Sequence, residues 1–209
     1  IKSDQEPSIV GLIRDVVGAR PEGQTVTEQS PVGDSKSNGV AERAVQTLEG
    51  QMRVVLLQLE DRLGFEVDVQ APLIQFLPEH AAYLLNEMEV GKDGKTNSER
   101  VKGKKGTILG VEFGEKVWYK KKMKKIGSFT GEKLKSRWER GIMVGVRTKS
   151  GELRISREQG EIIKTKKVRK LPEDKRWGVD TVNWVKRTLW NRYKGHEEAD
   201  GVVPEPVEV

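Results

Sequence analysis

The sequence predicts an α/β first part followed by a mostly β second part. Three observations carry that reading. Apolar residues recur at helical spacing through the first hundred residues, around one short β-branched run. From about Thr107 the period changes to two, in short runs bounded by glycine. Charge divides at the same place: residues 1–100 hold 10 Lys/Arg against 17 Asp/Glu, and residues 101–209 hold 28 against 15. A chain partitioned in this way reads as two modules, the second facing a polyanion.

The elements follow in order. Ile1-Lys2-Ser3 reads as the end of a strand with Asp4 at its tip. Ile9, Leu12, Ile13, Val16 and Val17 make an apolar stripe over a helix at 5–19, with Pro7 tolerated in its first turn. Pro21-Glu22-Gly23 is a turn, and residues 24–28 form a short β-branched strand. The polar loop SPVGDSKSNGVAERA, 30–44, runs straight into the clearest helix, 39–62, which Ser37 or Asn38 can cap. Its stripe is Val40, Ala44, Val45, Leu48, Met52, Val55, Leu56 and Leu59, and Glu42 falls in its first turns. A third helix is expected at 71–89, and one further turn at 97–101.

In the second part, Val117 and Tyr119, then Ile142, Val144 and Val146, then Leu153 and Ile155, then Ile162 mark successive strands. Lys149-Ser150-Gly151 is a hairpin turn, and the spacing suggests a small antiparallel barrel over 107–172. Its strands pair among themselves, so it is expected to need no upstream partner. Asp180 is expected to cap a helix of about 181–193 bearing Trp184 and Trp190, and the acidic stretch 195–209 reads as a disordered linker.

Composition narrows the function classes. The absence of cysteine excludes both a disulfide framework and a cysteine zinc site. Charged residues are 33% of the chain, as in a highly solvated intracellular protein, and no apolar run approaches the length of a membrane span. KVWYKKKMKK, 116–125, and IIKTKKVRK, 162–170, concentrate the positive charge in Lys116, Lys120, Lys121, Lys122, Lys124, Lys125, Lys164, Lys166, Lys167, Arg169 and Lys170. Such runs fit phosphate neutralisation without base reading, solvated strand edges that resist pairing, or a nuclear import signal. The five tryptophans, all after residue 117, read as core or interface anchors rather than base-stacking platforms. His80, within an apolar helix, reads as a core histidine, and His196 lies in the tail.

Two carboxylates, Asp4 at a strand tip and Glu42 after a flexible loop, can make a half-site for divalent metal, although acidic residues at arbitrary spacing are usually surface charges. Their context adds more. SDQEP at 3–7 and SPVGDSKSNGVAERA at 30–44 resemble the second and third blocks of the retroviral and retrotransposon integrase core. HAAYLLNEMEVGKDGKTNSERVKGKKG at 80–106 resembles the segment that follows the core in copia-type elements. FGEKVWYK and RWERGIMVGV resemble the small barrel after it, and VRKLPEDKRW its usual exit.

This resemblance implies a ribonuclease H-like core, of which residues 1–100 are the C-terminal part, an SH3-like basic barrel at 107–172, and a helix with an acidic linker at 173–209. It implies Asp4 and Glu42 as catalytic metal ligands for two Mg²⁺ or Mn²⁺ ions, with the family's first Asp lying upstream of Ile1. On that expectation the chain is a fragment of a longer Pol polyprotein, inactive by itself. Positions one and two turns beyond the glutamate often touch element-end DNA in relatives. Here they are Gln46 and Glu49, with Arg43 and Arg53 as substitutes for the usual lysine or as solvated helix charges. The parent activity implied is polynucleotidyl transfer, trimming element DNA ends and joining them to target DNA, in a homo-oligomer found in nucleus and cytoplasmic particles. The alternative is a non-catalytic basic nucleic-acid-binding remnant of a decayed or domesticated element.

Overall fold

The computed structural model describes residues 1–3, 5–20, 25–29, 39–106, 110–121 and 136–191. Asp4, the loop 30–38, the lysines at 122, 124 and 125 and the tail 192–209 lie outside the described residues. The chain divides into two compact units, Ile1–Glu49 and Gly50–Val209.

In the first unit, strand β1 (Lys2–Ser3) pairs in parallel with β2 (Glu28–Gln29) in the register Lys2↔Glu28, and helix α1 (Pro7–Gly18) lies between them in sequence. Pro7 opens α1, where its missing N–H costs nothing. The expected strand at 24–28 is thus shorter and falls later. No residue of α1 is buried; Leu12 and Val16 of its stripe are exposed. Helix α2 (Gly39–Leu63) begins in this unit, with Val40 and Val45 exposed.

The second unit holds the packed core. Here the α2 stripe becomes buried, at Val55 and Leu59. Gly64, at φ 75°, ends the helix, its N–H reaching the Glu60 carbonyl at 2.8 Å. The expected helix at 71–89 is shorter: a 3₁₀ turn, Ile74–Phe76, precedes helix α3 (Leu77–Met88), with Pro78 in the α3 first turn. Helix α4 (Asn97–Lys102) has a full capping box, Thr96 with Glu99, and ends at Gly103 in the left-handed region.

Strands β3 (Lys116–Lys120), β4 (Trp138–Arg147), β5 (Glu152–Ser156), β6 (Ile162–Thr165) and β7 (Val168–Lys170) form one antiparallel sheet in the order β6-β5-β4-β3-β7. The β4–β5 hairpin turns through Lys149-Ser150-Gly151 as expected, with Gly151 at φ 64°. A bulge interrupts the β4–β5 register between Met143 and Gly145. Strict alternation would put Ile142, Val144 and Val146 on one face. Instead Ile142 and Val144 join one apolar cluster, while Met143 and Val146 join the other. Both faces of β4 are therefore covered, and residues 141–146 are all buried.

The first cluster joins Val55, Leu59, Leu73, Phe76 and Leu77 to Phe113, Ile142, Val144 and Ile162. The sheet thus does not stand without upstream partners: one of its faces shares a core with α2 and the segment leading into α3. At the C-terminal side the expected helix of 181–193 is a single turn, α5 (Asp180–Asn183). Asp180 is the first residue of α5 rather than its cap, a position that Val179 takes, and its carboxylate pairs with Lys116 at 2.7 Å. Among the described residues no helix is long and apolar enough to cross a membrane.

Sharing a core makes a simple demand on α2. Leu59 is 1% exposed and Leu57, two residues earlier, is 65% exposed. We expect Leu59→Ala to destabilise the second unit by about 2–5 kcal/mol and Leu57→Ala by less than about 0.5 kcal/mol, read by denaturant unfolding. Equal effects would show that the shared core is not formed.

Candidate nucleic-acid interface

In the first unit, Glu42 lies in the first turn of α2 and is exposed, as are Arg43 and Gln46. A carboxylate at this position is favoured by the N-terminal helix dipole whatever else it does. It also supplies the hard oxygen donor that Mg²⁺ takes, so the residue fits the ion chemically. Its expected companion Asp4 lies outside the described residues, and among those described no group of three His, Cys, Asp or Glu could hold a metal.

The second unit presents a more complete arrangement. Register places Trp118 of β3 between Arg140 of β4 and Arg169 of β7, directly opposite both. Opposed residues in adjacent strands point to the same face. The next position along that face pairs Lys120 with Trp138. The Arg169 guanidinium lies 4.6 Å from the Trp138 ring, and that of Arg140 lies 6.0 Å from the Trp118 ring. Both arginines are exposed and both tryptophans half-buried. Among the described residues, none of Lys120, Arg140 and Arg169 takes part in an ion pair. Guanidinium groups beside indole faces can neutralise phosphates and stack on planar groups at once.

The opposite face spends its cations internally. Tyr119 donates to Glu139, which also receives Lys121 and, at 3.0 Å, Arg157; Arg157 reaches Glu161 at 2.8 Å. A hollow of about 480 Å³ beside them is lined by these residues together with Lys120, Ile162, Ile163 and Lys164. Lys170, also pointing away from the Trp118 face, lies 3.5 Å from the fully buried Glu115. Lys116 is 7% exposed, bound to Asp180 and 5.4 Å over the Trp184 ring, so its ammonium belongs to the core rather than to a phosphate-binding surface. Its register opposite Ile142 puts it there. Lys164 is half-buried on β6, and Lys166 and Lys167 are exposed where β6 turns into β7.

Of the cations singled out in the sequence, Lys120 and Arg169 thus lie beside Trp118 and Trp138, and Lys116 lies in the core; Arg140, which shares that face, was not among them. The signal was present in Trp118-x-Lys120 and Trp138-x-Arg140, two period-two pairs of one aromatic and one cation. Trp177 and Trp184 do pack on the first cluster, as anchors, while Trp190 is 81% exposed. A second basic surface was also missed: Lys102, Lys104, Lys105 and Lys149 rim a hollow of about 380 Å³. Its one carboxylate, Glu87, accepts from Lys102 at 2.8 Å and Ser98 at 2.6 Å. Burial raises the Glu87 pKa, but these bonds outweigh it and hold the carboxyl below its usual range. No protein-family model matches the chain, and no curated protein matches it significantly.

Burial, and then the bond to Glu139, push the Tyr119 phenol well above the ordinary tyrosine range. A raised folded-state pKa gives stability that is fully present below the unfolded value, about pH 10, and is lost as pH rises through the folded one. We expect wild-type stability to fall relative to Tyr119→Phe as pH climbs past about 10. Parallel pH profiles for the two proteins would show that the phenol is not held this way.

Proposed function

We propose that this chain is part of a copia-type retrotransposon integrase, a polynucleotidyl transferase that processes element DNA ends and joins them to target DNA. In that reading residues 1–100 belong to a ribonuclease H-like catalytic core, residues 107–172 to an SH3-like module, and the second unit binds nucleic acid. The observation that carries the binding part is the Arg140–Trp118–Arg169 row, with Lys120 and Trp138 beside it. The blocks SDQEP, NGVAER and RWERGIMVGV, in order along the chain, support the family. Glu42 in the first turn of a long helix suits the role the family gives its last carboxylate.

The sheet face supplies cations that replace condensed counterions along the backbone, and indole surfaces that add stacking without a base code. Arg43 and Gln46, exposed on the same stretch of α2 as Glu42, would contact DNA near the reacting phosphate. Glu42 and Asp4 would hold Mg²⁺ or Mn²⁺, which in such sites activates the attacking oxygen and stabilises the leaving one. The non-catalytic reading keeps the sheet face and dispenses with the metal.

Two measurements follow. Titrating the full chain against unrelated DNA duplexes at several salt concentrations should give affinity that falls steeply with salt and varies little with sequence. Each of Arg140→Ala and Arg169→Ala should lower the salt slope by about 1. A flat salt response, or one strongly preferred sequence, would count against the assigned face. Separately, Mn²⁺ should broaden the amide signals of residues near Glu42 by paramagnetic relaxation, and Glu42→Gln should abolish that broadening. Broadening that spares residues 41–46 would remove Glu42 from the metal site and favour the non-catalytic reading.

A further inference from the structure

Two separate segments of the second unit bring four lysines to one hollow of about 380 Å³. Lys102 comes from the last turn of α4. Gly103, in the left-handed region, ends that helix, and the chain leaving it supplies Lys104, Lys105 and Gly106 to the lining. Lys149 arrives from the turn between β4 and β5, with Thr148, Ser150 and Gly151 around it. All four lysines are exposed, and among the described residues Lys104, Lys105 and Lys149 take part in no ion pair. The one carboxylate in the lining, Glu87 of α3, does not cancel them. Its side chain is 7% exposed, and its Oε1 accepts from Lys102 at 2.8 Å and Ser98 at 2.6 Å. Its other oxygen lies so close to Gly106 that a Cβ there would collide with it. Glu87 thus fixes Lys102 and the chain after α4, and three uncancelled charges remain around the hollow.

We propose that this hollow binds a compact small-molecule anion bearing a chain of phosphates, a triphosphate in its simplest form, with Lys104, Lys105 and Lys149 as counter-charges. Each property has its reason. Three free ammonium groups call for a ligand of about three negative charges or more, and a single anion leaves most of that charge unmatched. Lysine is a compact, strongly hydrated point charge, which suits phosphate oxygens without requiring a planar partner. A concave site lined by one sign of charge focuses its field on whatever enters it. A compact anion can enter, whereas the phosphates of a duplex lie along the outside of a rod. The nucleic-acid face proposed above is elsewhere on the sheet. Its Arg140 stands six residues before Val146, the β4 residue in this lining, which is about 20 Å along an extended strand. The two readings therefore fail independently.

The test titrates the full chain with tripolyphosphate and with inorganic phosphate, by calorimetry at about 0.15 M salt. Tripolyphosphate should bind saturably and at least about tenfold more tightly than inorganic phosphate, and Lys105→Gln or Lys149→Gln should each weaken it about tenfold. ATP identifies the source: binding at least as tight as tripolyphosphate assigns a nucleotide, and weaker binding a bare phosphate chain. In the wild-type protein the amide signals of Gly106 and Gly151 should shift on adding tripolyphosphate, and the indole signals of Trp118 and Trp138 should not. Duplex DNA should leave the two glycine signals in place. Absence of saturable binding, equal affinity for inorganic phosphate, unchanged affinity in both variants, or glycine signals that move with DNA instead of tripolyphosphate would each overturn the proposal.

Discussion

Strand β4 is covered on both of its faces over residues 141–146, and the second unit is arranged to satisfy that demand. A strand can be apolar on both sides only if something lies on each, and one sheet of five strands supplies one side at most. The segment from α2 to α3 supplies the other, joining Leu59, Leu73, Phe76 and Leu77 to Ile142 and Val144. Each such side chain contributes about 1.5–3 kcal/mol on burial, so the helical segment and the sheet depend on each other for stability. Close approach leaves little room: a Cβ on Gly141 would stand 2.8 Å from the Ser156 carbonyl oxygen.

That packing then decides which charges remain for a ligand. Glu115, Lys116 and Arg154 are all buried, and each answers an opposite charge, Lys116 with Asp180, Arg154 with Glu79, and Glu115 with Lys170 and Arg176. Breaking one member of such a pair costs more than the pair gains, because a bare charge stays behind. These cations are held within the fold and cannot also be spent on phosphate. A lysine count along the sequence overstates the cations left on the surface for this reason.

Much of the architecture was legible in the sequence because it follows from periodicity. The strands marked by Val117, Tyr119, Ile142, Leu153, Ile155 and Ile162 are present and buried, and α2 nearly matches its expected bounds. What escaped has physical causes. Pro78 and the preceding 3₁₀ turn shorten α3, which an apolar stripe alone cannot reveal. The bulge at Met143–Gly145 moves Val146 to the opposite face; Gly145 inside the run is the one hint of it, and a period-two count passes over it. Lys116 and Lys120 look alike in sequence; only register, with Ile142 opposite one and Trp138 opposite the other, separates a core ammonium from a surface one. In the first unit Glu42 stands where the loop-to-helix transition put it.

The ten residues of β4 explain how one strand serves both structure and surface. Its second part, from Gly141 to Val146, is buried against two clusters, while at its first part Arg140 is exposed and Trp138 and Glu139 are half-buried. Ladder partners inherit this division. Lys116, opposite Ile142, is drawn inside, whereas Lys120, opposite Trp138, stays accessible. Arg169 reaches the accessible end because β7 pairs with β3 at Trp118 rather than nearer Lys116. The tryptophans hold this end together: their half-buried rings anchor it, and the arginines lie over their faces instead of against carboxylates. Cation–π contact orders a guanidinium while leaving its charge uncancelled, which a salt bridge does not. The polyanion-binding role proposed for this face would gain from that difference, since its cations are already positioned and, among the described residues, no carboxylate pairs with them.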